Sequence, residues 1–387
     1  MRILHVIPSV APRYGGPSRA VVEMCRALIA RGIETLIATT DADGQGRLPV
    51  ELGKEISFEG VPAIFFKWQW SEAYQYSRPL ARWLNRHVGD FDVVHVHAVF
   101  SHACVAAARE CRKHGVPYVV RPLGSIDPWS LEQKSFRKRL FWHLEVKRML
   151  LGAAAIHYTA PGEQESAEQT LGLARGVVIP LGITMHPSKP HDKSMPSQPA
   201  RRPSKDPYVL VLSRLHPKKG LELLLNAFLP LVKKPEFAEW RLVIAGEGDA
   251  AYVNSLRQLV KNQEGDDNVI FPGWLDGAQK NAALEDASLL ALTSFQENFG
   301  LCIIESLACG VPVLVSDKIN LAGMIETANA GWVTSLQPAK LSRALTDALR
   351  DSHGRMQRGS AGRDLVNRRF TWPAIAGDLS SLYQSIQ

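Results

Sequence analysis

Cysteine is sparse in this 387-residue chain and shows no pattern: Cys25, Cys104, Cys111, Cys302 and Cys309 are odd in number and form no C-x-x-C pair. No disulfide framework is expected, and the five read as reduced core thiols of a cytosolic protein. Long apolar runs are missing as well; none approaches the roughly 20 residues that a bilayer-spanning helix needs. The apolar start Ile3-Leu4-His5-Val6-Ile7-Pro8 is too short for a signal-peptide core and runs into a glycine loop instead of a small-residue cleavage site. It reads as a first strand, and the protein as cytoplasmic, either soluble or peripheral at the inner face of the plasma membrane. Zinc-finger spacings, an RNA-recognition signature and a homeodomain-like helix are also absent, so the net charge of +7 is not assigned to nucleic acid. Anionic substrates or an anionic membrane surface remain as partners for it.

What is present is enough apolar sequence for two ordinary domains. With 45% hydrophobic and 21% charged residues, the chain is too long for one core and too apolar for disorder. Short β-rich runs at Ile3 to Pro8, Thr35 to Thr40, Val93 to Ala98, Tyr118 to Arg121, Ile156 to Thr159 and Val177 to Pro180 alternate with helical patterns. Such alternation predicts a parallel sheet wrapped by helices. Pro187, Pro190, Pro196, Pro199, Pro203 and Pro207 then crowd a polar, basic stretch that reads as an interdomain linker. Alternation resumes at Tyr208 to Leu212, Arg241 to Ala245, Val269 to Phe271, Leu289 to Thr293, Val313 to Ser316 and Trp332 to Thr334, predicting a second doubly wound domain. A last amphipathic segment carries Ile375, Leu379, Leu382, Tyr383 and Ile386.

Ligands of open α/β sheets bind beyond the carboxyl ends of the strands, and the polar motifs of this chain fall there. The run from Glu297 through Asn298, Phe299, Gly300 and Leu301 to Glu305 sets two carboxylates eight positions apart across a glycine that opens an apolar helix. Free N–H groups and the positive dipole end of such a helix suit a diphosphate. Glu305 can then accept from a ribose diol and Glu297 from a hexose hydroxyl, unless either only caps or solvates the helix. In Ser213-Arg214-Leu215-His216-Pro217-Lys218-Lys219-Gly220, Arg214 offers a planar fork and Lys219 a point charge. Together they can neutralise a diphosphate in place of a metal, or they form a solvated basic turn. Gly15-Gly16 lacks Cβ bulk, which serves either a close ligand approach or a tight turn. His95 and His97 share one face of a strand; two imidazoles without a nearby carboxylate are too few for a metal, so none is expected.

Glu297 to Val313, taken with Ser213-Arg214-Leu215 and Lys218-Lys219-Gly220, resembles the retaining glycosyltransferases of the GT-B fold, family 4, over nearly the whole chain. The resemblance implies an α/β, GT-B architecture of two Rossmann-like, doubly wound domains with a cleft between them. The acceptor-side domain would be 1–185 completed by a helix in 371–387 that crosses back, the linker 186–207, and the nucleotide-sugar domain 208–370. By the same resemblance Glu297 contacts the transferred sugar, Glu305 the ribose, and Arg214 and Lys219 the diphosphate. The Gly15-Gly16 loop would close over the donor, and His97 would touch the donor sugar while His95 stays a core residue. Gly246, Trp274 and Leu275 would wall the nucleotide beside Asn298, Phe299, Gly300 and Leu301. Arg121, Ser125 and Asp127, leaving a first-domain strand, are acceptor-side candidates, or else they shape an Asp-Pro turn.

The implied reaction is metal-independent, retaining transfer of a hexose from GDP-mannose or a UDP-hexose, without further cofactor, to a saccharide or lipid-linked acceptor in cell-surface polysaccharide synthesis. A nucleotide-sugar epimerase of related fold, an inverting transferase and a catalytically silent sugar-nucleotide-binding protein are the competing readings. The intact set Arg214, Lys219, Glu297 and Glu305 argues against silence. One further segment, 134–151, interleaves Lys134, Arg137, Lys138 and Arg139 with Phe136, Phe141 and Trp142. It is predicted either to dock on an anionic membrane beside a lipid-linked acceptor or to pack its apolar face on the sheet.

Overall fold

Strands that are covered on both faces need nearly continuous apolar sequence, and Tyr-Val-Leu-Val-Leu at 208–212 is such a run, with four of its residues buried. Strands of this kind organise both halves of the chain. The computed structural model describes residues 1–71, 74–126, 141–172, 175–184, 206–275 and 277–387. Its chain divides into one unit of Met1–Thr184 with Thr371–Gln387 and a second of Met185–Phe370.

The first unit contains β1 (Arg2–Val6), β2 (Glu34–Thr40), a small ribbon of β3 (Ala42–Asp43) and β4 (Gly46–Arg47), then β5 (Glu55–Phe58), β6 (Val61–Phe66), β7 (Val93–His97), β8 (Tyr118–Arg121), β9 (Ala155–Tyr158) and β10 (Gly176–Val178). Its main sheet runs β10-β9-β8-β7-β1-β2-β6-β5. Only the β5–β6 pair is antiparallel. That hairpin is missing from the sequence expectation. Its two-residue turn, Glu59 at φ 49° and Gly60 at φ 81°, matches a primed hairpin turn, but Pro62 within the second run argues against an interior strand; β6 lies between β2 and β5 and tolerates the proline because its pairing with β2 begins only at Ala63.

The second unit contains β11 (Tyr208–Leu212), β12 (Arg241–Ala245), β13 (Val269–Gly273), β14 (Leu289–Leu292), β15 (Val313–Ser316) and β16 (Gly331–Thr334). Its sheet is wholly parallel in the order β13-β12-β11-β14-β15-β16. Strand order reverses between β11 and β14 here, and between β1 and β7 in the first unit. Those two switch points are where a doubly wound sheet opens a crevice for ligand.

Past the second unit the chain rejoins the first, where Thr371 bridges Ile183. The Trp372–Ile386 helix buries Trp372, Ile375, Leu379 and Tyr383 and packs on the Gly16–Ala30 helix. All five cysteines are free, with Cys25, Cys104 and Cys111 buried. Among the described residues no helix is long and apolar enough to cross a membrane. Of the proline-rich linker only Asp206 and Pro207 are described. Residues 134–140 of the basic segment lie outside the described residues; beyond them Phe141 and Trp142 pack against the core beside buried Val146, Met149 and Leu150, while Leu144 and Leu151 are exposed.

Candidate active site

In the second unit, the loop after β11 keeps strand-like pairing for three residues: Ser213 N–H donates to the Ala245 carbonyl at 3.2 Å and Leu215 N–H to Glu247 at 2.7 Å. Alternation then buries Leu215 and turns Arg214 out to solvent. A short 3-10 turn, Pro217–Lys219, follows, capped by His216, whose Nδ1 accepts from Lys218 N–H at 3.1 Å. The loop after β14 is stitched to this turn by main-chain carbonyls. Thr293 Oγ1 is a shared donor to Lys219 (3.2 Å) and Gly220 (3.1 Å), and Phe295 N–H donates to Lys218 at 2.9 Å. The stitching brings Lys219 Nζ onto Glu297 Oε2, with only 16% and 19% of the two side chains exposed.

Gly300, at φ 69°, caps the Leu301–Ala308 helix. A side chain there would be strained by the left-handed backbone and would press on Ile303 at 3.0 Å and Glu297 at 3.2 Å. The first N–H groups of that helix have no intrahelical acceptor and carry its positive end. Glu305, one turn in, pairs with Lys280 at 2.7 Å. Lys280 is absent from the sequence reading, because the 25-residue separation carries no local signal and only helix packing joins the two. Lys219 and Lys280 thus stand against Glu297 and Glu305 as two ion pairs, with Arg214 exposed on the loop after β11. Cys302 lies within this charge set; burial, then the Glu297 charge, pushes its thiol up to about 12, with Lys219 opposing. A thiol pKa raised in this way disfavours the nucleophilic thiolate.

The flanking loops are aligned by Gly246, whose N–H donates to Gly273 at 2.8 Å. Only glycine fits there, since an added Cβ would sit 1.8 Å from the Ser213 carbonyl. Trp274 is exposed and Leu275 half-buried. Asn298 is half-buried, whereas Phe299 is buried against Phe370 with ring centres 5.9 Å apart. Phe299 therefore anchors the loop through its ring, so that a donor contact at this position falls to its backbone.

In the first unit, Gly15 lies at the turn into the helix that starts at Gly16, beside the β1/β7 switch point. The two strand histidines enter a buried imidazole cluster. His97 Nε2 is 3.0 Å from His5 Nδ1. Both nitrogens of His95 are partnered, Nδ1 by the Tyr383 hydroxyl at 2.7 Å and Nε2 by His157 Nδ1 at 3.2 Å. His97 Nδ1 has no hydrogen bond, and the ring is fully buried. Beside it Arg121 is 0% exposed with no hydrogen bond to any guanidinium nitrogen. Burial lowers its pKa to about 10, with Glu163 opposing. Arg121 is thus not brought to the acceptor-facing surface expected of it. Ser125 is half-buried, its hydroxyl folded back on the Pro122 carbonyl, and Asp127 lies outside the described residues. Ring nitrogens of His5, His95 and His97 come within 4.8 Å of one another, but the neighbour that acts on all three is a guanidinium, which disfavours a cation.

Two doubly wound units, the second with a basic loop and two carboxylates at its switch point, have the architecture of GT-B glycosyltransferases. Residues 15–182 match the glycosyl transferase 4-like domain and residues 194–365 the glycosyl transferases group 1 family. The chain belongs to these group 1 enzymes, glycosyltransferase family 4. It is 29% identical to a phosphatidyl-myo-inositol mannosyltransferase of Mycobacterium leprae, across 100% of this chain and 97% of that one. It is 22% identical to the GDP-mannose:cellobiosyl-diphosphopolyprenol alpha-mannosyltransferase of Komagataeibacter xylinus, across 100% and 93%. Among solved structures, sucrose-phosphate synthase of Thermosynechococcus elongatus superposes with a TM-score of 0.75 at 21% identity, covering 100% of this chain and 99% of that one.

Proposed function

We propose that this enzyme transfers mannose from GDP-mannose to a lipid-linked saccharide in cell-surface polysaccharide assembly. The observation that carries the donor half is the Lys219–Glu297 contact beside the Gly300 helix start, with Glu305 one turn further in. Mannose and a lipid-borne acceptor are supported by the names of the two full-length relatives. In this reading the acceptor hydroxyl enters on the face from which the diphosphate departs and passes its proton to a leaving phosphate oxygen. Negative charge grows on the diphosphate. Arg214, Lys219 and the N–H groups of Gly300 and Leu301 stabilise it without reorganisation, which is how preorganised donors lower a barrier. Lys219 leaves Glu297 for the phosphate as donor binds, and Glu297 turns to a sugar hydroxyl. The segment 134–151 is the proposed membrane dock on its basic residues and the exposed Leu144 and Leu151 alone, since Phe141 and Trp142 are packed against the core.

A donor panel tests the assignment. GDP-mannose is expected to be turned over with retention and to raise the melting temperature, in the presence of excess EDTA as in its absence. Preference for UDP-glucose or UDP-galactose would replace the donor, and strict dependence on added Mg²⁺ or Mn²⁺ would remove the proposed charge mechanism. The two carboxylates separate by kinetics. Glu305→Ala is expected to weaken nucleotide binding about tenfold with a small change in kcat, because a ribose contact is alike in ground and transition states. Glu297→Ala is expected to fall chiefly in kcat. Equal, purely binding losses in both variants would contradict the split.

A further inference from the structure

We infer that the Ser352–Arg369 helix, with the Phe370 that ends it, braces the Leu301–Ala308 helix, and that Gly359 and Phe370 are positioning residues for transfer. They act through Glu297 and the N–H groups of Gly300 and Leu301. This rests on the transferase reading above and adds what holds its donor-side groups in place.

The braced helix has only eight residues, a length of about 12 Å. Its carboxyl end closes in a tight turn around Gly310 at φ 75°: Val311 N–H donates to the Ser306 carbonyl at 3.0 Å and Gly310 N–H to Leu307 at 2.9 Å. The second helix is laid on that turn with no side chain between them. A Cβ at Gly359 would sit 1.9 Å from the Gly310 carbonyl oxygen, and one at Gly362 would sit 2.5 Å from Leu307 Cδ2. The next residue, Arg363, donates to the Cys309 carbonyl at 2.8 Å, which places a cation on the negative end of the short helix.

The amino end is held by a ring. Phe299 directly precedes Gly300, and its buried ring meets that of Phe370, which is 0% exposed, edge-on at 65°. Two residues before Phe299 stands Glu297, whose carbonyl accepts from Asn320 N–H at 3.3 Å. The bracing helix has a footing of its own. Arg358 donates to the Gly331 carbonyl at 2.7 Å and lies over the Trp332 ring at 4.6 Å, while Arg355 donates to the Ala348 and Leu349 carbonyls, both at 2.7 Å. One element thus touches the short helix at both ends while it stands on β16 and on the Pro338–Arg350 helix. Shifting a catalytic group by about 1 Å can cost on the order of 100-fold in rate, so a displaced brace is expected to be felt in turnover.

The test compares variants of the whole chain. Gly359→Ala presses a methyl on the Gly310 carbonyl, and Gly323→Ala is its control, since a Cβ there meets nothing within 4 Å. Phe370→Leu removes the ring, and Leu256→Ala, in the core of the second unit, is the control for lost stability. Hydrogen exchange without donor, read by mass spectrometry, is expected to quicken about tenfold over residues 295–308 in both brace variants and in neither control. Steady-state kinetics is expected to show kcat lowered about 10- to 100-fold in the brace variants, donor KM within about threefold of wild type, and both controls at the wild-type kcat. Phe299→Leu combined with Phe370→Leu is expected to lose no more than either alone, because the two share one contact. Wild-type exchange over 295–308 or wild-type kcat in Phe370→Leu overturns the brace, and so does an equal kcat loss in Leu256→Ala; if Gly359→Ala does not fold, Phe370→Leu decides. Should the wild type turn over no nucleotide sugar, the transferase reading falls, and the exchange result still decides whether the helix is braced.

Discussion

Lys219→Ala is expected to lower kcat by about 100-fold or more, and Arg214→Ala by a similar factor, with both proteins folded. Each removes a positive charge that matters most as the diphosphate leaves, and one such contact contributes about 3 kcal/mol to the transition state. Lys219→Ala is expected to be the worse of the two. Arg214 is exposed, whereas Lys219 is mostly buried against Glu297, so its loss also leaves a half-buried carboxylate without its cation. Steady-state kinetics beside a thermal melt checks both. Wild-type turnover in either folded variant removes these residues from the reaction.

Acid is expected to destabilise the first unit far more than the second. Four imidazoles are buried together there, and burial, followed by the Arg121 charge, lowers the pKa of His5 and His157 to about 3. His95 and His97 are held well below the usual range by burial first and by neighbouring imidazoles second. The unfolded chain takes up these protons near pH 6.5, while the folded unit refuses them until well below that, about pH 3 for His5 and His157. Between those values the unfolded state binds more protons, so the stabilisation is complete above pH 6.5 and is lost as pH falls. At pH 4.5 the loss is about 3 kcal/mol for each of His5 and His157. Glu163 works the other way, because burial raises its carboxyl, but it is one group against four. Urea unfolding followed at pH 7.5, 6.0 and 5.0 is expected to show flat stability above 6.5 and a steep fall below, steeper than one proton allows. Equal stability at pH 7.5 and 5.0 would falsify this account.

Much of the fold is legible in the chain because its signals are local. The apolar runs at 208–212, 241–245 and 313–316 are strands at those bounds, since a strand covered on both faces has little choice of residue. Gly300 reads as a helix opener and caps the Leu301–Ala308 helix, since the left-handed backbone there suits glycine. The β5–β6 hairpin was not legible, because Pro62 argues against an interior strand, and that β6 begins to pair with β2 only at Ala63, past the proline, is a property of the assembled sheet.

The candidate site divides along the same line. Arg214, Lys219, Glu297 and Glu305 can be picked from sequence because charge beside a glycine loop at a strand end is a local pattern. Their pairing is not local: Lys219 meets Glu297 through two loops joined by Thr293 and Phe295, and Glu305 meets Lys280 through helix packing. His5, His157 and Tyr383 join His95 and His97 from three other elements, and Phe370 meets Phe299 only when the Ser352–Arg369 helix packs beside the loop. By itself the sequence determined the parallel-sheet class, the two alternating halves and the charged loops, all readable from neighbours a few residues apart. Burial, orphaned polar atoms and ion pairs were decided by tertiary structure alone, because each depends on groups that are distant in the chain and meet only when the sheets assemble.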